Sequence, residues 1–160
     1  MSTLAQSAAA SDDASGGTQA GLPDDALARM PPDALLSVPL HRVAHARAGD
    51  KGNRLNVSVM PYEPAAYALL AEQLTEARVL ALYAHRNATR VKRYDLPLLP
   101  AFNFVIDDVL EGGVNGSLNL DGHGKSNSFI LLGMEVRVPA RFVRSAPAAS
   151  PASNPTFTPT

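Results

Sequence analysis

Cysteine is absent from all 160 residues, which removes a disulfide framework, a thiolate metal site and any thiol nucleophile. Excess charge is absent too. Fourteen Lys and Arg stand against 15 Asp and Glu, and a formal net charge of -1 argues against a sequence-independent nucleic-acid binder, whose phosphate contacts demand a strongly basic domain. A local basic patch stays open. Aromatic residues make up only 6% of the chain, and the segments that read as central strands lack the interleaved rings of a base-stacking RNA surface. No apolar run approaches bilayer-spanning length, and the N-terminus shows neither the basic start nor the apolar stretch of a signal peptide. The expectation is a soluble cytoplasmic protein with no membrane or nucleic-acid partner.

Both ends are poor in sustained hydrophobic pattern. Residues 1–36 are rich in Ala, Ser, Asp, Gly and Pro without an aromatic, and residues 143–160 are dominated by Ala, Pro, Ser, Asn and Thr. Such segments bury too little to offset the entropy of ordering, so both are expected to be disordered tails around one domain over residues 37–142.

Within that domain, polar chemistry concentrates at His45-Ala46-Arg47-Ala48-Gly49-Asp50-Lys51-Gly52-Asn53. Gly49 and Gly52 permit close backbone approach, while Arg47, Asp50, Lys51 and Asn53 bring both signs of charge and an amide to one strand edge. Leu40 to Arg47 reads as an edge strand, and Leu55, Val57 and Val59 alternate with polar neighbours as a second. The glycine loop joins them, longer than a tight hairpin requires.

Pro64 suits the first turn of a helix through Tyr67, Leu70 and Leu74, and Thr75 caps either a continuation or a second short helix ending near His85. Thr89 to Asp95 reads as a strand. Phe102, Val105, Ile106, Val109 and Leu110 recur at helical spacing, with Gly112-Gly113 as the stop. Ser117 to Asp121 is a short strand with Leu118 and Leu120 inward, and the apolar run from Ser126 to Val138 is a helix followed by an extended exit. The sum is α+β, a ferredoxin-like sandwich with one four-stranded sheet and helices on one face.

Three residues are acid/base candidates: the adjacent Asp50 and Lys51, which either work as a pair or divide so that the lysine binds an anionic substrate while the aspartate pins the loop, and His123, exposed between two glycines. Gly122-His123-Gly124-Lys125-Ser126 ends like a phosphate loop, yet Asn119 stands where a nucleotide-binding loop needs glycine. Gly124, Lys125 and Ser126 keep a weaker role, holding a phosphate or carboxylate with the lysine and backbone N–H groups, with a plain polar turn as the alternative. Asn103 either satisfies a neighbouring loop or reaches a ligand. His41 and His45 share a strand face but lack a third ligand, so no metal is expected.

At Ala46-Arg47-Ala48-Gly49-Asp50-Lys51-Gly52 the chain resembles the C-terminal domain of the acyclic terpene utilisation (AtuA-like) proteins. Later blocks follow in the same order: Arg93-Tyr94-Asp95-Leu96-Pro97, Ala101-Phe102-Asn103-Phe104-Val105, Gly112-Gly113-Val114, and Ser117-Leu118-Asn119-Leu120-Asp121 before Gly124-Lys125. The chain departs from the pattern at Asp95, where glutamate is expected, and at Phe102, where leucine is common.

The resemblance covers about residues 38–139 and implies a ferredoxin-like fold, normally appended to a much larger domain that this sequence lacks. It further implies either a small subunit docking onto a larger AtuA-like partner or a stand-alone derivative of the domain. The substrate class is an acyl-CoA thioester or related carboxylic acid, with a hydratase-like step on an enoyl-CoA and no cofactor beyond the substrate's own coenzyme A. Arg47, Gly49, Gly52, Asn53, Asn103, Gly124, Lys125 and Ser126 would then bind substrate or partner. A non-catalytic assembly module is the competing reading.

Overall fold

The computed structural model describes residues 23–145. Ten regular elements follow one another in this span. They are α1 (Asp24–Ala28), β1 (Leu35–Pro39), β2 (Ala44–Lys51), β3 (Arg54–Pro61), α2 (Tyr67–Gln73), α3 (Glu76–Leu82), β4 (Arg90–Leu96), β5 (Ala101–Asp107), α4 (Ser128–Leu132) and β6 (Glu135–Pro139). Four strands form an antiparallel sheet in the order β2-β3-β5-β4, and β1 pairs with β6 in a separate two-stranded ribbon that the sequence reading did not include.

The four-stranded sheet is two-sided by alternation. Leu55, Val57 and Val59 of β3 and Phe102, Phe104 and Ile106 of β5 are buried on the face covered by helices. They pack with Leu70 and Leu74 around α2, Val79 and Tyr83 around α3, and Leu131 of α4 in one core. The opposite face carries His45, Arg47, Gly49 and Lys51 on β2, paired in register with Met60, Ser58, Asn56 and Arg54 on β3. Across the centre, Ser58 pairs with Asn103 and Asn103 with Tyr94, so Arg47-Ser58-Asn103-Tyr94 forms one polar row over all four strands.

The two short helices bend at Thr75, whose hydroxyl oxygen accepts from the Arg78 N–H at 3.2 Å as an N-cap. Gln73 ends α2 and turns its carboxamide onto β6, donating to Arg137 O at 2.8 Å and accepting from Arg137 N–H at 2.7 Å. The side chain thereby substitutes for a missing neighbour strand and ties the ribbon to the helical layer.

Several expectations are corrected. Phe102–Leu110 is not a helix: its first part is β5, whose Phe102, Phe104 and Ile106 alternate inward while Asn103 and Val105 face out. Period 2 and period 3.6 overlap in this run, and the Phe, Val and Ile enrichment decides for strand. Ser117–Asp121 is not a strand; it is turn, and Leu118 and Leu120 are fully exposed instead of inward. The strand expected from Leu40 begins only at Ala44, as β2, after a short 3₁₀ turn at Leu40–Arg42, so His41 and His45 do not share a strand face. Pairing continues to Lys51↔Arg54, which shrinks the expected long loop to Gly52-Asn53. Gly52 takes φ +67° at the first central position, where a type II′ hairpin turn calls for glycine.

The expected N-terminal tail is ordered in its described part, residues 23–36, with α1 and the start of β1. Leu36 and Val38 are buried against Val138 and Val136, and Arg42 holds Arg144 O at 2.7 Å and Asp24 at 3.4 Å. At the other end, Arg144 lies over the Tyr62 ring, 4.0 Å from its centroid. The expectations for residues 1–22 and 146–160 lie outside the described residues. Deleting residues 1–36 is therefore expected to cost stability, about 2–3 kcal/mol from the lost Leu36 burial alone, read as a lower midpoint in a thermal melt.

Candidate functional site at the free edge of strand β2

Strand β2 has β3 on one side only, so its other edge is open to the segment that follows β5. That segment returns over it as a short 3₁₀ turn, Lys125–Asn127, leading into α4. Ala44, Ala46 and Ala48 are the inward residues of β2 and are small enough for this approach.

The approach is built by Asp121. Its carboxylate accepts from the Lys125 N–H at 2.9 Å, the Ser126 N–H at 2.7 Å and the Ser126 hydroxyl at 2.6 Å. These bonds outweigh the opposing effect of desolvation, the largest single influence, and hold the carboxyl below its ordinary pKa. The expected anion cradle of backbone N–H groups is thus already filled by a carboxylate of the chain itself, and Ser126 is a loop fastener. Gly124 sits at φ +65°, and a Cβ there would meet Leu55 Cδ1 at 2.7 Å and Leu110 Cδ2 at 2.8 Å, so its role is packing. Asp121 was missed as a functional residue, although an Asp four residues before Lys125 in a glycine-rich turn is a recognisable loop-pinning signal.

With the loop fixed, His123 meets Asp50: Nδ1–H donates to Oδ1 at 3.2 Å. The hydrogen bond from His123 is the main reason the Asp50 carboxyl lies below its ordinary value, against some desolvation, and the positive charge of Lys125 adds to it. An ionised carboxylate only accepts, so Nδ1 carries a proton, and in the neutral ring Nε2 is the proton acceptor. The imidazole is well exposed and Asp50 is half-buried. Lys125 reaches the same edge from the other side of the loop, its Nζ 3.0 Å from where a Cβ on Gly49 would stand. Lys51 Nζ donates to the Asp50 carbonyl oxygen at 3.0 Å.

Asp50, Lys51, His123, Gly49 and Lys125 are therefore brought together, with one rearrangement. Asp50 and Lys51 project from opposite faces of β2, and the lysine bonds to a main-chain oxygen, so the acid/base partner of Asp50 is His123. Arg47 lies on the open face, two positions from Gly49. Asn103 stands at the centre of that face and accepts from the Ser58 hydroxyl at 3.1 Å, away from the dyad.

Asn53 is occupied structurally. Its Nδ2 donates to Asp108 at 3.1 Å and its Oδ1 accepts from the Gly112 N–H at 2.9 Å, closing the hairpin turn onto the 108–113 loop. Lys51, Asn53, Arg54, Asp107 and Asp108 line an open depression of about 310 Å³ beside it. Gly113 packs on Gly52 with φ +75°, and a Cβ there would lie 2.5 Å from the Gly52 carbonyl oxygen. Gly113→Ala is expected to destabilise the fold by about 2–3 kcal/mol, measurable by denaturant unfolding.

The model of the AtuA ferredoxin-like domain family matches residues 38–137, most of the described chain. The chain belongs to this family. The AtuA ferredoxin-like domain thus begins inside β1 and ends inside β6, and contains both halves of the Asp50–His123 pair. No curated protein and no solved structure matches significantly. Among the described residues, no group of three or more His, Asp or Glu is placed to share a metal ion, and no helix is long and apolar enough to cross a membrane.

Proposed function

We propose that this AtuA ferredoxin-like chain is the small subunit of a cytoplasmic enzyme whose larger AtuA-like subunit completes the site, and that the pair acts on an acyl-CoA thioester by hydrating an enoyl-CoA. The observation that carries the reading is the Asp50–His123 pair beside Lys125 at an open strand edge. Water would add its oxygen to the β-carbon while His123 Nε2 takes the proton and returns it to the α-carbon. Asp50 holds the ring and stabilises the imidazolium.

The docked partner supplies what the site lacks on its own, exclusion of water, since the imidazole is exposed. Leu118 and Leu120, fully exposed in the turn that leads to His123, favour a covered state. These leucines also serve the second reading, a non-catalytic assembly module. Co-expression with a large AtuA-like subunit and assay against a panel of enoyl-CoA thioesters tests both. Turnover by the pair and none by either chain alone is the expected result; robust turnover by this chain alone removes the small-subunit reading, and a stable pair inactive on every thioester leaves the assembly module.

A further inference from the structure

The backbone amides of the Gly-Lys-Ser turn are taken by Asp121, so any larger anion must be held by side chains. The place where they gather is the open face of β2. By register, Gly49 faces the same side as Arg47 and Lys51, opposite the buried Ala48. Lys125 comes around the strand edge and sets its ammonium over Gly49, where any other residue would put a side chain. Lys51 Nζ lies at the neighbouring Asp50 carbonyl. Three cations thus line a strand segment of about 13 Å, with the Asn56 amide beside Gly49 on β3. Asp50 projects from the other face and is engaged by His123, and Arg54, next in the row to Lys51, is paired with Asp107.

We propose that this face is a binding site for a diphosphate-bearing ligand, with Lys125, Arg47 and Lys51 as its cationic contacts and Gly49 as the opening that admits Lys125. Three positive charges in a row exceed what a single carboxylate uses and match a ligand with several ionised phosphate oxygens. Rings on this face are confined to its margins, His45 stacked with Tyr62 at one and Tyr94 on the opposite edge strand, so it offers no stacking platform for a nucleic-acid strand across its centre. The inference deepens the proposed function and rests on it for one point, that the diphosphate belongs to coenzyme A.

The test is calorimetric titration of the full chain with inorganic pyrophosphate and with coenzyme A at low ionic strength. Lys125→Met and Gly49→Val are each expected to weaken pyrophosphate binding at least about tenfold. Gly49→Val removes no charge and suits a strand, so its melting midpoint should hold while it displaces the ammonium. Arg137→Met, a cation removed from the two-stranded ribbon, should leave binding unchanged. Coenzyme A binding more tightly than pyrophosphate assigns the site to the nucleotide, and equal affinity assigns it to the diphosphate alone; both keep the site. Undiminished binding by Gly49→Val, or equal weakening by Arg137→Met and Lys125→Met, overturns it, because either outcome marks unspecific attraction. Pyrophosphate binding involves no turnover, so an enzyme inactive on enoyl-CoA leaves this result standing.

Discussion

Replacing His123 by glutamine is expected to lower turnover of the assembled enzyme by about 10²- to 10⁴-fold, the usual contribution of a positioned acid/base. Glutamine keeps a side chain of similar reach but cannot accept and return a proton. The residue is exposed, so stability should stay within about 0.5 kcal/mol of the parent. Asp50→Asn should follow the same pattern with a smaller loss, since an amide still holds the ring without the charge that favours imidazolium. The Asp50 carboxyl is depressed below its ordinary 3.8 chiefly by the bond from His123, so its contribution to stability is present above that pH and is lost as pH falls through the lower folded value. Below pH 3.8 the decline in stability should therefore be shallower for Asp50→Asn. Steady-state kinetics with partner binding measured in parallel decides the matter. If His123→Gln retains full turnover, the dyad is not the acid/base machinery; if only assembly fails, the loop is an interface.

Phe104→Ala carries the largest expected loss of stability, about 3–5 kcal/mol, because a fully buried ring is removed from a strand with neighbours on both sides. At about 4 °C per kcal/mol, the value where the ranges for smaller and larger domains meet, the thermal midpoint should fall by about 12–20 °C. Val105→Ala, one position along and on the open face, should cost far less. A helix through this segment would put Val105 in the buried stripe and leave Phe104 outside it, which reverses that contrast, so the pair of melts tests the strand directly.

That segment also shows where the amino-acid pattern stops being decisive. Leu55, Val57 and Val59 alternate without competing signals, and β3 is legible from them; Thr75 marks the break between two helices; Ser126 to Val138 divides into helix and extended chain as expected. In Phe102 to Leu110, by contrast, the same apolar residues satisfy both periods, and only the burial of Phe104 beside Val57 separates them. Ser117 to Asp121 alternates like a strand, but Ser117 Oγ accepts from Asn119 N–H and from its side-chain amide, and such local bonds favour a turn. β1 escapes notice because its partner β6 lies about a hundred residues away, as the Ser37–Glu135 contact at a separation of 98 illustrates.

The candidate site was legible as composition and not as geometry. Asp50 and His123 stand 73 residues apart, and no spacing rule links them. The pairing of Asp50 with Lys51 suggested by adjacency fails because neighbours on a strand point to opposite faces. Gly49 reads in the sequence as a loop glycine that permits close approach, yet it sits mid-register in a regular ladder, and its missing side chain is what lets Lys125 come near.

The ribbon of β1 and β6 sets Leu35 directly opposite Pro139, with backbones about 5 Å apart, and Arg42 then holds both Asp24 and the Arg144 carbonyl, so the segments that bring the chain in and carry it out lie side by side. A unit closed in this way behaves as a cassette. It can be spliced into a surface loop of a host protein without prising the host apart, and a short linker between its two ends should permit new termini to be opened elsewhere, for instance in the exposed turn between β4 and β5.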